Sequence, residues 1–150
     1  MLLASIMGCT SPAVQTQNNM HTLMNINRGI DSVYVLLQQS YDTYQATEMD
    51  NALEGLNNYL AATAQKIGSM QVDDNCKPLL EALAYKVETM RDITATESKE
   101  QVRIYKIPDT DFGDDLRKKW DDIASHVEKK ITNANAKVTD ECNKIKNKQQ

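Results

Sequence analysis

DFGDDLRKKWDDIASHVEKKITNANAKVTDECNKI, residues 111–145, carries its apolar side chains at Phe112, Leu116, Trp120, Ile123, Val127, Ile131, Ala134, Val138, Cys142 and Ile145. The gaps are 4, 4, 3, 4, 4, 3, 4, 4 and 3, close to the helical repeat. All ten therefore lie on one stripe of one long helix. A helix with a single apolar stripe is unstable alone in water and needs partners to cover it.

The residues upstream supply those partners. A first helix is expected from about Met20 to Ala46, with its stripe at Leu23, Ile26, Ile30, Val33, Leu37, Tyr41 and Tyr44. Gly29 weakens it by up to ~1 kcal/mol relative to Ala, and fits either a close helix crossing or a later helix start. A second helix, about Met49 to Met70, alternates gaps of 4 and 3 from Met49 through Leu53, Leu56, Leu60, Thr63 and Ile67 to Met70. That is the seam of helices crossing at a shallow angle. Asp73-Asp74-Asn75 reads as a turn and helix cap. A third helix follows from near Asn75, with Leu80, Leu83, Val87 and Met90 on its stripe, and ends at Pro108. Its polar segment Thr94–Glu100 is a candidate kink or break. Asp109-Thr110-Asp111 is expected to cap the last helix, with Asp114 and Asp115 complementing its positive end and Lys144, Lys146 and Lys148 its negative end. Four long helices joined by short turns predict an all-α, antiparallel up-down-up-down four-helix bundle.

Composition agrees. At 150 residues there is room for one core, with 41% apolar and 25% charged residues. The net charge of −4 gives no long-range attraction to nucleic acid. No apolar run approaches the ~18 residues needed to span a bilayer.

The chain opens MLLASIMGCTSP. An apolar run with Ser5 as its one polar residue leads to Ile6, then Gly8 directly before Cys9. This resembles the end of a bacterial lipoprotein signal peptide, although Ile6 stands where Leu is more usual and no Lys or Arg precedes the run. The resemblance implies a lipidated mature N-terminus at Cys9 and a place in the bacterial cell envelope, periplasmic or surface-exposed, held to the membrane by a lipid anchor. Residues 1–8 are then a signal-peptide remnant, 9–19 the lipidated cysteine with a flexible tether, and 20–150 the bundle.

Two cysteines remain. Cys76 lies 32 residues before Pro108, and Cys142 lies 33 after Asp109. In an antiparallel hairpin turning there, the two sit at one level. A Cys76–Cys142 disulfide is expected, which would contribute about 4 kcal/mol by the chain-entropy model; two buried free thiols are the alternative.

Motifs of catalysis are absent. His21 and His126 lie ~28 Å apart along such a bundle and cannot share a metal. Ile123 precedes His126 by three residues, so the Glu-x-x-His pair of di-iron bundles is missing. Asp109, Asp111, Asp114 and Asp115 fail the calcium-loop pattern, since Gly113 falls at position 5 instead of 6. Asp111-Phe112-Gly113 imitates a kinase triplet without the accompanying loops. No cofactor or enzymatic activity is expected. The six tyrosines, Tyr34, Tyr41, Tyr44, Tyr59, Tyr85 and Tyr105, read as boundary residues, or as a partner site if they cluster on one face. The expected role is contact with a protein partner from a membrane anchor; the alternative is a periplasmic bundle binding a small ligand or metal.

Overall fold

Ser11 and Pro12 start the first helix. In the computed structural model, which describes residues 11–148, the Ser11 side chain accepts a hydrogen bond from the Val14 amide and Pro12 occupies the first turn of α1, Pro12–Asp42. Both residues suit a helix start. Residues 12–19, expected as tether, are therefore helical. What holds them is tertiary: the Thr16 hydroxyl and the Asn19 amide donate to the two carboxylate oxygens of Asp73, at 3.1 and 2.9 Å. Cys9 lies outside the described residues.

The chain turns through Thr43–Gln45 into α2, Ala46–Ser69. After a second turn, in which Asp73 accepts from the Asn75 amide at 2.9 Å, Pro78 sits in the first turn of α3, Lys77–Ile93. Thr94–Ser98 does not break the rod. It widens into a π-helical turn and leads directly into α4, Lys99–Tyr105. Widening leaves carbonyls short of intrahelical donors. The Thr94 and Thr96 hydroxyls donate to the carbonyls of Arg91 and Asp92, at 2.9 and 2.7 Å. The Thr-rich composition is thus what makes the π-turn tolerable. Asp109–Asp111 forms a 3-10 turn instead of the expected cap, and α5 spans Asp114–Lys148.

The result is an all-α four-helix bundle, with α3 and α4 together acting as one helix. Among the described residues no helix is long and apolar enough to cross a membrane. Cross-helix contacts give the register: Gly29 of α1 against Tyr59 of α2, Lys106 after α4 bonded to Asp50 of α2, Lys137 of α5 over the Tyr85 ring of α3, and Lys130 of α5 on Glu97. Gly29 is the close crossing. A side chain there would overlap the Tyr59 hydroxyl.

The core is a continuous cluster of Leu, Ile, Val and Met, led by Leu23, Ile30, Leu37, Leu56, Leu60 and Leu83. Cys76 and Cys142 belong to it, at the end where α1 begins. The expected disulfide between them is not formed: both are buried free thiols. The Cys76 thiol is turned toward α1, where it donates to the Thr16 carbonyl at 3.4 Å. Burial, with the negative charge of Asp73, pushes it up to about 12, and Cys142 adds a smaller push. The register of α5 on α3, set by Lys137 over Tyr85 and Lys130 on Glu97, brings Cys142 near the level of Cys76.

Helices do not close the bundle equally. α5 packs closely on α3, and α2 on both α1 and α3, while α1 and α5 make no comparably close approach. The apolar stripe of α5 records the consequence. Val127, Ala134, Val138, Cys142 and Ile145 are buried, whereas Leu116, Trp120, Ile123 and Ile131, also stripe residues, remain half-exposed. α5 is thus more deeply buried toward the end where α1 begins, and cavities lie between α1 and α5 at both ends: one of about 420 Å³ by Thr16, Gln17 and Ile145, and one of about 390 Å³ by Tyr34, Tyr41 and Trp120.

Candidate functional site

The cavity by Trp120 is a groove. From α1 come Tyr34, Gln38 and Tyr41, at i, i+4 and i+7 on one helix face. From α5 come Trp120, Val127, Glu128 and Ile131. Gln101 of α4, nearly fully buried, lies between them as the floor. The cavity measures about 390 Å³, within the range of ligand sites.

At its far end the aromatic residues meet. Tyr41 stacks on Tyr105 with centroids 5.1 Å apart, and Trp120 stands edge-on to both, at 5.4 Å from Tyr41 and 4.5 Å from Tyr105. Such pairs add ~1 kcal/mol each beyond area burial. Tyr44, which follows the end of α1, takes a left-handed backbone (φ 55°) that L side chains with a Cβ adopt at a cost. Its ring reaches Tyr105 at 6.1 Å yet is 80% exposed. Beyond Trp120 lies a second cavity of about 240 Å³, walled by Tyr44, Tyr105 and Phe112 and flanked by Asp109 and Arg117. Trp120 is the partition between the two cavities.

Three buried polar atoms, the Tyr41 hydroxyl, Ser98 Oγ and Asn135 Oδ1, have no hydrogen bond among the described residues, and of the three residues only Tyr41 lines the groove. Burial holds the Tyr34 hydroxyl above its ordinary pKa, and burial with neighbouring Tyr34 and Tyr105 pushes Tyr41 well up, so both stay protonated. Glu97, in the π-turn, is drawn the other way. Burial alone would raise it, but hydrogen bonds from Lys130 and Thr96 outweigh that and leave it below the usual carboxylate range.

The residues singled out from the sequence fall in different places. Tyr41, Tyr44 and Tyr105 come together with Trp120, and Tyr34 joins them along the groove. Tyr59 and Tyr85 serve helix packing elsewhere. Cys76 and Cys142 sit at the opposite end. His21 is exposed on α1, and His126 Nε2 lies 3.5 Å from Glu97 with its own side chain 60% exposed. No group of three or more His, Cys, Asp or Glu that could hold a metal occurs among the described residues. Sequence reasoning missed Gln101, Ser98 and Glu128. The signal for the first two was present, as polar residues interleaved with Val102 and Ile104 in a helix that must be covered on several sides.

No protein-family model, curated protein or solved structure matches this chain.

Proposed function

We propose that the chain is a bacterial envelope lipoprotein, anchored to a membrane through lipid on Cys9, that works through protein contact and not through catalysis. The anchor is supported by the apolar run ending in Gly8-Cys9. The contact is supported by one observation above others, the cluster of Tyr41, Tyr44, Tyr105 and Trp120 at the far end of the groove. Aromatic residues left at a half-open seam are the composition of contact surfaces.

The two parts fit one geometry. Only Thr10 and Ser11 separate Cys9 from Pro12. A lipid on Cys9 therefore sets the end where α1 begins against the membrane. The 31 residues of α1 then carry the aromatic end roughly 45 Å away from it.

Growth with a labelled lipid precursor tests the anchor: label enters the wild type and is lost in Cys9→Ser, and retention in that variant overturns it. A photo-crosslinking residue at Tyr44 tests the contact. A discrete adduct should form in native membranes from Tyr44 and not from Gln17 near the start of α1. Absence of any adduct at Tyr44 counts against this surface.

A second reading, a periplasmic bundle binding a small ligand, is favoured by the unpartnered hydroxyl of Tyr41, which lines the groove, since unsatisfied groups favour a polar guest. A native mass spectrum of purified protein with no bound species argues against it.

A further inference from the structure

Six residues set the chemistry of the groove: Tyr34, Gln38 and Tyr41 of α1, Gln101 of α4, and Trp120 and Glu128 of α5. Three are aromatic, two are amides and one is a carboxylate. No lysine or arginine lines the cavity.

Glu128 is the charged member. Its helix neighbours at three and four residues are Ala124, Ser125, Ile131 and Thr132, none of them basic. The ion pairs among the described residues leave it out. In this it resembles Asp121, Asp122 and Asp140 of α5, whereas Glu97, Glu100 and Glu141 each hold a lysine; it differs from those aspartates in lining the groove. The groove thus carries negative charge that the fold itself does not neutralise. It also carries three aromatic faces, and such faces attract a cation lying within about 6 Å of the ring centroid. Tyr41 adds a buried hydroxyl with no partner.

We infer that the groove receives an arginine side chain of the protein partner. This deepens the reading of the tyrosine-bearing side as a contact surface and rests on it. A guanidinium is favoured over an ammonium because it is planar, weakly hydrated and stacks on aromatic rings. Its five donors match the acceptors present: the Glu128 carboxylate, the Gln38 and Gln101 amide oxygens, and the Tyr41 oxygen. Arginine anchored in an aromatic-lined pocket is a recurrent source of binding energy at interfaces.

Trp120 is the only tryptophan of the chain and borders both the groove and the second cavity beyond it, so its fluorescence reports on these two and the Glu128→Gln variant assigns a change to the groove. The full 150-residue chain is titrated with Nα-acetyl-arginine amide, with the citrulline analogue, which keeps the shape and removes the charge, and with the lysine analogue. The arginine compound should give a saturable change below about 50 mM, a weak affinity suited to one isolated side chain. Citrulline should bind at least about tenfold more weakly, and lysine more weakly than arginine. Glu128→Gln should reduce arginine binding about tenfold while leaving circular dichroism and the unfolding midpoint unchanged, since Glu128 is an exposed residue. Equal binding of arginine and citrulline, lysine binding as tight as arginine, an unaffected Glu128→Gln variant, or no saturable change would each overturn the inference. The titration needs neither membrane nor partner, so its failure is separate from loss of the lipid label or of the Tyr44 adduct.

Discussion

Lys86 is wholly buried, and its ammonium donates to Asn27 Oδ1 at 2.7 Å and to Asp31 Oδ1 at 2.5 Å. The pair is lopsided, because the Asp31 side chain keeps 47% of its exposure. Removing the two partners should therefore have unequal effects. Asp31→Ala strands a buried cation with one amide oxygen and should cost about 3 kcal/mol. Lys86→Met leaves a carboxylate that water can solvate and fills the same space with apolar atoms; it should cost under about 1 kcal/mol. Urea unfolding of the two variants measures the difference, and equal losses would contradict it. The position had a faint signature in the sequence. Lys86 falls between Leu83 and Met90 on the covered face of α3, where a charge has to find a partner. Nothing in the order of residues says that the partner is on α1, because that depends on how α1 and α3 are laid side by side.

Helices were the most legible level. The stripes of the second and last helices placed Leu56, Leu60, Ile67, Val127, Val138 and Ile145 in the core, where they are. Boundaries were less legible. The start of α1 at Pro12 has local signals in Ser11 and Pro12, but the polar residues 15–19 carry no apolar period. Their helicity is held by Asp73, a residue 57 positions from Thr16. Gly29 also acts at this level. In an exposed helix, Gly→Ala stabilises by ~1 kcal/mol. Here the new methyl group overlaps the Tyr59 hydroxyl. Gly29→Ala should thus destabilise, by about 1 kcal/mol net, as overpacked sites do. Tyr59→Leu in the Gly29→Ala background should recover part of the loss. Thermal unfolding of the single and double variants checks both, and a stabilised Gly29→Ala would show that α1 and α2 do not cross there.

At the scale of the molecule the two ends behave differently. The end where α1 begins is tied by Asp73, which sits in the α2–α3 turn and accepts from Thr16 and Asn19 of α1 and from the Asn75 amide. Burial pulls its carboxyl upward, but the hydrogen bonds from Asn19 and Thr16, helped by that from the Asn75 amide, outweigh that and leave it below the usual range. A carboxyl depressed in the folded state stabilises fully above its unfolded value of ~3.9, and this contribution is lost as pH falls through the folded value. Stability of the wild type should therefore drop between about pH 5 and pH 2, and Asp73→Asn should flatten part of that acid limb. Urea midpoints at the two pH values test this; identical slopes in wild type and variant would remove Asp73 from the acid response.

Local order of residues was enough for the helices, their antiparallel sequence and most of the core, because each rests on periodicity and turn chemistry within short stretches. It was enough, too, to bring Cys76 and Cys142 to one level, though not to orient the Cys76 sulfur, which turns to α1. It could not say that α1 and α5 make no close approach. That separation follows from α1 packing on α2 and α3 while α5 packs on α3 and α4, and it leaves Trp120 and the tyrosines lining a groove. A stripe of apolar residues reads the same whether or not a partner helix covers it; only packing among all the helices distinguishes the two.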